Sequence, residues 1–274
     1  MREIAKRMNI PPYKVWTTPL AMQEFKKHLR KTLIMALSDG ARIDQLRRAT
    51  YGVLSNEQFV GMTQVDDEKW KDVLDKLRKD TGDAAAKFSH VVLVDDFMGT
   101  GSTVLREEAG EWTGRLPRFR RTLDGIPDGE AAIFEVGWTL QVHHYVAIPK
   151  SIQAVESRAA NAAQALDPSK WFGSVEFSYE LGIAEELSLE TDERFVALSE
   201  TYYNSSIETR STRKGGYDRM NLGYGKCALP LVMGHNTPNN SVALLWYECE
   251  PQSHNGKDEP EMRPLFRRRQ RHVT

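Results

Sequence analysis

An α/β fold with a largely parallel central sheet flanked by helices is what this sequence predicts, and three observations carry the prediction. Short apolar runs alternate with amphipathic stretches along much of the chain. The run Val91-Val92-Leu93-Val94 is apolar at every position, as a strand covered on both faces requires. Two acids and a loop rich in glycine and hydroxyls follow it, where sheets of this kind open to ligands. With 274 residues, 40% of them hydrophobic, the chain can fill a core of its own.

The elements follow in order. Thr17-Thr18-Pro19 offers a capping hydroxyl and a first-turn proline, and Met22, Phe25 and Leu29 recur at helical spacing, so a helix is expected over about 19–31. Leu33 to Leu37 reads as a strand, Ser38-Asp39-Gly40-Ala41-Arg42 as a loop, and Ile43 and Leu46 as the start of a helix. Trp70, Val73, Leu74 and Leu77 among charges mark an amphipathic helix at 66–79, ahead of the strand at 90–94. Val104 and Leu105 are expected to open a helix, and Gly114 to Gly129, rich in Arg, Pro and Gly, an exposed insertion. Strands are expected at about 131–136 and 139–148, and an Ala-rich helix at 151–165. Residues 167–225 show no readable pattern. Cys227 to Met233 reads as a strand, 235–240 as a loop, and Val242 to Trp246 as a second apolar run. The expected organisation is an N-terminal helical segment at 1–30, an α/β domain at 31–262 elaborated at about 167–225, and a basic tail at 263–274, with no internal repeat.

Composition narrows the partners. Lys plus Arg number 37 against 38 acids, so overall charge argues for neither nucleic acid nor an anionic membrane. The two cysteines, Cys227 and Cys249, form no Cys-x-x-Cys or Cys/His pattern, which suits a reducing cytoplasm. No run approaches the roughly 20 apolar residues that span a bilayer, and Met1 to Arg7 lacks the apolar block of a secretory signal. No membrane is expected as a partner.

The site-bearing segment is Asp95-Asp96-Phe97-Met98-Gly99-Thr100-Gly101-Ser102-Thr103. Gly99 and Gly101 remove side-chain bulk, and Thr100, Ser102 and Thr103 add hydroxyls, so backbone N–H groups and a following helix start can surround a phosphate. Carboxylates repel that phosphate. Asp95 and Asp96 suit ribose hydroxyls, which donate to them, and a hydrated Mg²⁺ held directly or through water. A tight turn with one capping Asp accounts for one acid and one glycine, whereas Asp, Asp, Thr, Gly and Thr at fixed spacing have a joint chance of about 10⁻⁶ per start position.

An apolar strand, two acids, three variable residues and Thr-Gly-x-Thr resemble the signature of the type I phosphoribosyltransferase family. The resemblance implies that Phe97 to Thr103, with Met98 and Gly99 in its course, hold the 5′-phosphate of 5-phosphoribosyl 1-pyrophosphate (PRPP), while Asp95 and Asp96 contact the ribose hydroxyls and Mg²⁺. It also implies a separate pyrophosphate loop, for which Ser38, Asp39, Gly40, Ala41 and Arg42 are well placed. Leu37 to Asp44, Ser55-Asn56-Glu57-Gln58, Gly234 to Ser241 ahead of Leu244-Leu245-Trp246, and Leu265-Phe266-Arg267-Arg268-Arg269 look like the phosphoribosyltransferase-like domain of bacterial conflict systems, some of them retron-associated. That narrower resemblance implies an antiphage effector, with a reverse transcriptase, a non-coding RNA or DNA, or an ATPase as conceivable partners. The hood or base-specificity segment of the housekeeping enzymes has no recognisable counterpart.

Other constellations have two readings each. Arg42 suits a bidentate clamp on a pyrophosphate, and equally a surface ion pair at a helix start. Asp39 and Asp44 are metal-site candidates, and Asp44 is equally a first-turn helix charge. His235, Asn236 and Asn239 suit an acceptor-binding wall, and equally a turn between strands. His143 and His144 point to opposite faces of a strand, which disfavours a shared metal. Arg115, Arg118, Arg120 and Arg121, and Arg267, Arg268, Arg269 and Arg271, form two basic clusters, fit for RNA, DNA or an acidic protein, or solvated. The functions in contention are transfer or hydrolysis of a ribose phosphate, non-catalytic sensing of PRPP or a nucleotide, and a nucleic-acid-associated subunit of a defence complex.

Overall fold

The computed structural model describes residues 2–209, 212, 219–254 and 257–266. Arg267 to Arg271 lie outside them. At the N-terminus, α1 (Arg2–Arg7), a tight turn and α2 (Pro19–Arg30) pack Ile4, Ala5, Val15 and Ala21 together. Pro19 starts α2 as expected, although the Thr18 side chain makes no cap bond.

The central sheet contains β1 (Thr32–Ala36), β2 (Phe59–Val60), β3 (Phe88–Met98), β6 (Phe134–Ala147) and β7 (Val175–Gly182), in the order β2-β1-β3-β6-β7. β1 pairs in parallel with β2 and β3, Ile34 lying opposite Phe59 on one side and Val92 on the other. Bonds from Phe88 N–H to Ile133 C=O and from Ile148 N–H to Met98 C=O, both 3.0 Å, show β6 running the same way as β3. All-parallel pairing needs crossovers. α3 (Ile43–Ala49) connects β1 to β2, α4 (Asp67–Thr81) precedes β3, and α6 (Pro149–Ala165) connects β6 to β7. The Asp66 side chain caps α4, accepting from Lys69 N–H at 2.8 Å, and the helix buries the expected Trp70, Val73, Leu74 and Leu77. From β1 the chain builds outward in opposite directions, so the strand order reverses between β1 and β3.

Four local expectations are corrected. Val104 and Leu105 start no helix; both are buried, and their carbonyls bond Leu116 N–H at 3.1 Å and the Arg158 guanidinium at 2.8 Å instead of a helical turn. β4 (Arg106–Glu108) and β5 (Glu111–Thr113) follow as a hairpin whose two-residue loop, Ala109-Gly110, has both residues at positive φ (54° and 81°). The stretch taken for an exposed insertion contains α5 (Arg115–Asp124), which buries Leu116, Phe119 and Leu123 at helical spacing. Its many arginines hid that stripe. The two strands expected at 131–148 are one, β6, running through Gly137 at φ 75°. Cys227 to Met233 forms only the single bridges Leu229 to Ser241 and Met233 to Asn236, because Lys226 and Ala228 are left-handed and Pro230 lacks an N–H; Ala243–Leu245 is a 3-10 turn.

Between Val175 and Met220 the unreadable region contains β7 and α7 (Glu193–Thr201) amid 3-10 turns, and the chain closes with the hairpin β8 (Gln252–His254) and β9 (Lys257–Glu259). Two compact units share the chain. One comprises Met1–Asp96, Val104–Tyr145 and Glu156–Tyr179; the other comprises Phe97–Thr103, Val146–Val155 and Glu180–Thr274. The second has a core of its own around Tyr203, Ile207, Met220, Trp246 and Met262.

Candidate functional site

In open parallel sheets ligands bind beyond the carboxyl ends of the strands where the order reverses. Here those ends are Ala36 in β1 and the acidic part of β3, and the loop beyond Ala36 meets Asp95 and Asp96 within the first unit. Leu37 N–H bonds Val94 C=O at 2.8 Å, carrying Ser38 to β3. The Ser38 hydroxyl donates to Asp95 Oδ1 and also accepts from Gly40 N–H at 3.0 Å, so one side chain shapes the turn and ties it to the acid. Gly40 lies so near Asp96 that a Cβ there would fall 2.7 Å from Oδ2. The two segments singled out in the sequence, 38–42 and 95–96, are therefore brought together.

The acids are unequal. Consecutive strand residues point to opposite faces, and Asp95 is buried while Asp96 is half-buried. Asp95 accepts from Ser38, from Asp96 N–H at 3.1 Å, and from Arg115 in a close ion pair. In the sequence Arg115 reads only as part of a basic cluster. Of its companions, Arg120 is buried between Asp124 (3.0 Å) and Glu130 (2.5 Å) with its guanidinium 5.6 Å from the Phe172 ring centre, and Arg118 and Arg121 are exposed. Arg42 is left-handed (φ 45°, ψ 41°) at the start of α3, with its guanidinium 3.6 Å from Asp44. A left-handed non-glycine residue is strained, and such residues concentrate at binding loops.

Two side chains of β6, His144 and Tyr145, lie in the same unit. His144 is fully buried with no hydrogen-bond partner on either ring nitrogen, and burial lowers its pKa to about 4 against the pull of Asp95. The Tyr145 hydroxyl is likewise buried and unpartnered; burial raises its pKa to about 12, with Asp95, Asp96 and Asp44 adding to the shift.

The loop Phe97–Thr103 belongs to the second unit. It passes through Gly101 at φ 71° and holds a Thr100–Ser102 hydroxyl bond of 2.8 Å. No helix follows it directly, so the expected helix N-terminus is absent. Gly99 is pinned from two sides: Ser151 Oγ donates to its carbonyl, and Asn240 packs where a Cβ would overlap its amide. Asn240 is itself held, donating to Tyr224 C=O at 2.9 Å and contacting Cys227 Sγ at 3.4 Å. Of the residues expected as an acceptor wall, Asn236 closes a turn with Met233, and Asn239 C=O accepts from Tyr224 N–H at 2.7 Å. His235 lies half-buried beside them. Ser151, Arg115 and Tyr145 are not singled out for this site by the sequence, because nothing local distinguishes them from ordinary residues.

Among the described residues no group of three or more His, Cys, Asp or Glu side chains forms a metal cage. Mg²⁺ needs none, since it takes one or two carboxylates and completes its shell with water and substrate phosphates, and the hard oxygens of Asp96, with Asp95 beside it in sequence, fit that pattern. No described helix is long and apolar enough to cross a membrane.

A parallel sheet with acid-tipped β3 beside a serine-glycine loop at the order reversal defines a phosphoribosyltransferase-like α/β protein. The chain belongs to the PRTase-CE family, whose model matches residues 9–268. No curated protein and no solved structure matches it.

Proposed function

We propose that the protein binds PRPP with Mg²⁺ and transfers or hydrolyses its ribose phosphate. The observation that carries this reading is the junction of the Ser38 loop with the β3 acids at the strand-order reversal. The motif assigns the 5′-phosphate to Phe97–Thr103, the ribose hydroxyls to Asp96, and the pyrophosphate to Ser38–Arg42. In the reaction a nucleophile forms a bond to C1′ as the bond from C1′ to the diphosphate oxygen breaks, the diphosphate leaving with the electron pair. Carboxylates near the ring favour the positive charge that develops on it. Bound Mg²⁺ would neutralise the leaving diphosphate, and Asp96 is the residue to hold it, with the buried Asp95 beside it in sequence. Serving Mg²⁺ and ribose is a task for hydrogen-bond acceptors, and the site provides them. In the bacterial-conflict setting implied by resemblance, transfer to water or to a cellular acceptor depletes the donor, and a defence complex would control that reaction.

Incubating the protein with Mg²⁺ and labelled PRPP, with and without cell extract, tests the reading. Released pyrophosphate or a phosphoribosyl product is expected, and Asp95→Asn with Asp96→Asn should lower the rate by about 10²-fold or more while the circular dichroism stays unchanged. Tight PRPP binding without turnover in any extract would leave a sensor in place of an enzyme.

A further inference from the structure

We propose that Arg115 is the anion-binding cation of the pyrophosphate subsite and that Asp95 is the residue that positions it. The inference rests on the PRPP reading and reassigns two residues within it. Asp95 was expected to contact ribose and metal, yet its side chain is only 5% exposed and is occupied by Ser38 on Oδ1 and Arg115 on Oδ2. A carboxylate so engaged is a bracket. It joins the Ser38 turn and the Arg115 guanidinium across its own two oxygens, which places Arg115 beside the loop assigned to pyrophosphate.

Arg115 is built to be held there. It opens α5 directly after Gly114, which has φ 122° and lies so close to the Val104 carbonyl that a Cβ would come within 2.5 Å of it. Leu116 N–H then bonds that same carbonyl at 3.1 Å. The backbone on both sides of Arg115 is thus fixed to the segment that follows the phosphate loop in sequence. A guanidinium carries five N–H donors, and here the ion pair with Asp95 is its single bond to the described residues. Its side chain is 22% exposed, so the remaining donors are open to an incoming oxyanion. Planar bidentate donors of this kind match diphosphate oxygens. Arg42, the sequence candidate for this task, stands beside Asp44 instead.

Titration calorimetry on the full chain tests the assignment, using Mg²⁺ with inorganic pyrophosphate as one probe and ribose 5-phosphate as the other. Arg115→Gln should weaken pyrophosphate binding roughly tenfold or more while leaving ribose 5-phosphate within about twofold. Arg115→Lys, which keeps the charge and loses the fork, should fall between. Asp95→Asn should reproduce the pyrophosphate loss, and the double variant should be no weaker than Arg115→Gln, because one residue acts through the other. Unchanged pyrophosphate binding in folded Arg115→Gln and Arg115→Lys overturns the proposal, as do equal losses for both probes or additive losses for Asp95 and Arg115. A wild-type protein that binds neither probe overturns the PRPP reading itself, and this inference with it.

Discussion

A buried imidazole without partners makes the fold sensitive to acid in a definite direction. His144 is lowered from an ordinary value near 6.5 to about 4, chiefly by burial. Above pH 6.5 it is neutral in both folded and unfolded chains, and its contribution to stability is flat. As pH falls from 6.5 towards 4 the unfolded chain takes up a proton that the folded chain refuses, so stability drops, by on the order of 3 kcal/mol over the window. Below about 4 both states are protonated and the loss levels off. His144→Gln should remove that share of the slope. Urea unfolding of both proteins at intervals from pH 7.5 to 4 measures it; parallel curves would mean that the folded protein already gives His144 a proton. The Tyr145 hydroxyl predicts the opposite kind of effect. It donates to nothing, so Tyr145→Phe should leave stability within about 1 kcal/mol or raise it, while weakening ribose 5-phosphate if that hydroxyl completes the ligand shell. Calorimetry beside a melting curve separates the two.

The phosphate loop depends on an element that arrives much later in the chain. Gly99 has no room for a side chain because Asn240 fills the space, and Asn240 is fixed through Tyr224. Gly99→Ala should therefore cost ribose 5-phosphate affinity by about tenfold or more, and adding Asn240→Gly should restore part of it, a coupling that a double-mutant cycle detects. Two additive losses would show that the pair does not act as a unit. Such couplings explain where sequence reading succeeded. α4, α6 and β1 have strong periodicity or an unbroken apolar run, and they stand close to where they were expected. The Asp95-Asp96 and Ser38–Arg42 segments could be singled out as candidates because their chemistry is local. α5 was missed because arginines at Arg115, Arg118, Arg120 and Arg121 outweigh its three apolar residues, and Arg120 is buried only by virtue of Asp124 and Glu130. Cys227 to Met233 was misread because a short apolar run looks the same whether it forms a strand or packs irregularly. The ion pair of Asp95 with Arg115 and the packing of Asn240 on Gly99 have no local signal at all.

At the scale of the whole molecule, the chain crosses between two compact units several times, once between Asp96 and Phe97, inside the motif itself. The ligand reading thus makes a separate demand on each unit. Anything that binds only the folded form stabilises it by mass action, about 2.7 kcal/mol at a hundredfold excess over the dissociation constant. The six tryptophans report the units individually, since Trp16, Trp70, Trp112, Trp138 and Trp171 lie in the first and Trp246 lies in the second. Labelling with 5-fluorotryptophan and following the fluorine resonances through a urea titration reads both in one sample. With Mg²⁺ and PRPP the resonances of both groups should hold their folded positions to higher urea. If Trp246 does not respond, Phe97–Thr103 is not the phosphate loop. If Trp246 alone responds, the assignments to Asp96 and Arg115 fail, and the ligand is a phosphate without the ribose and pyrophosphate that the first unit is proposed to hold.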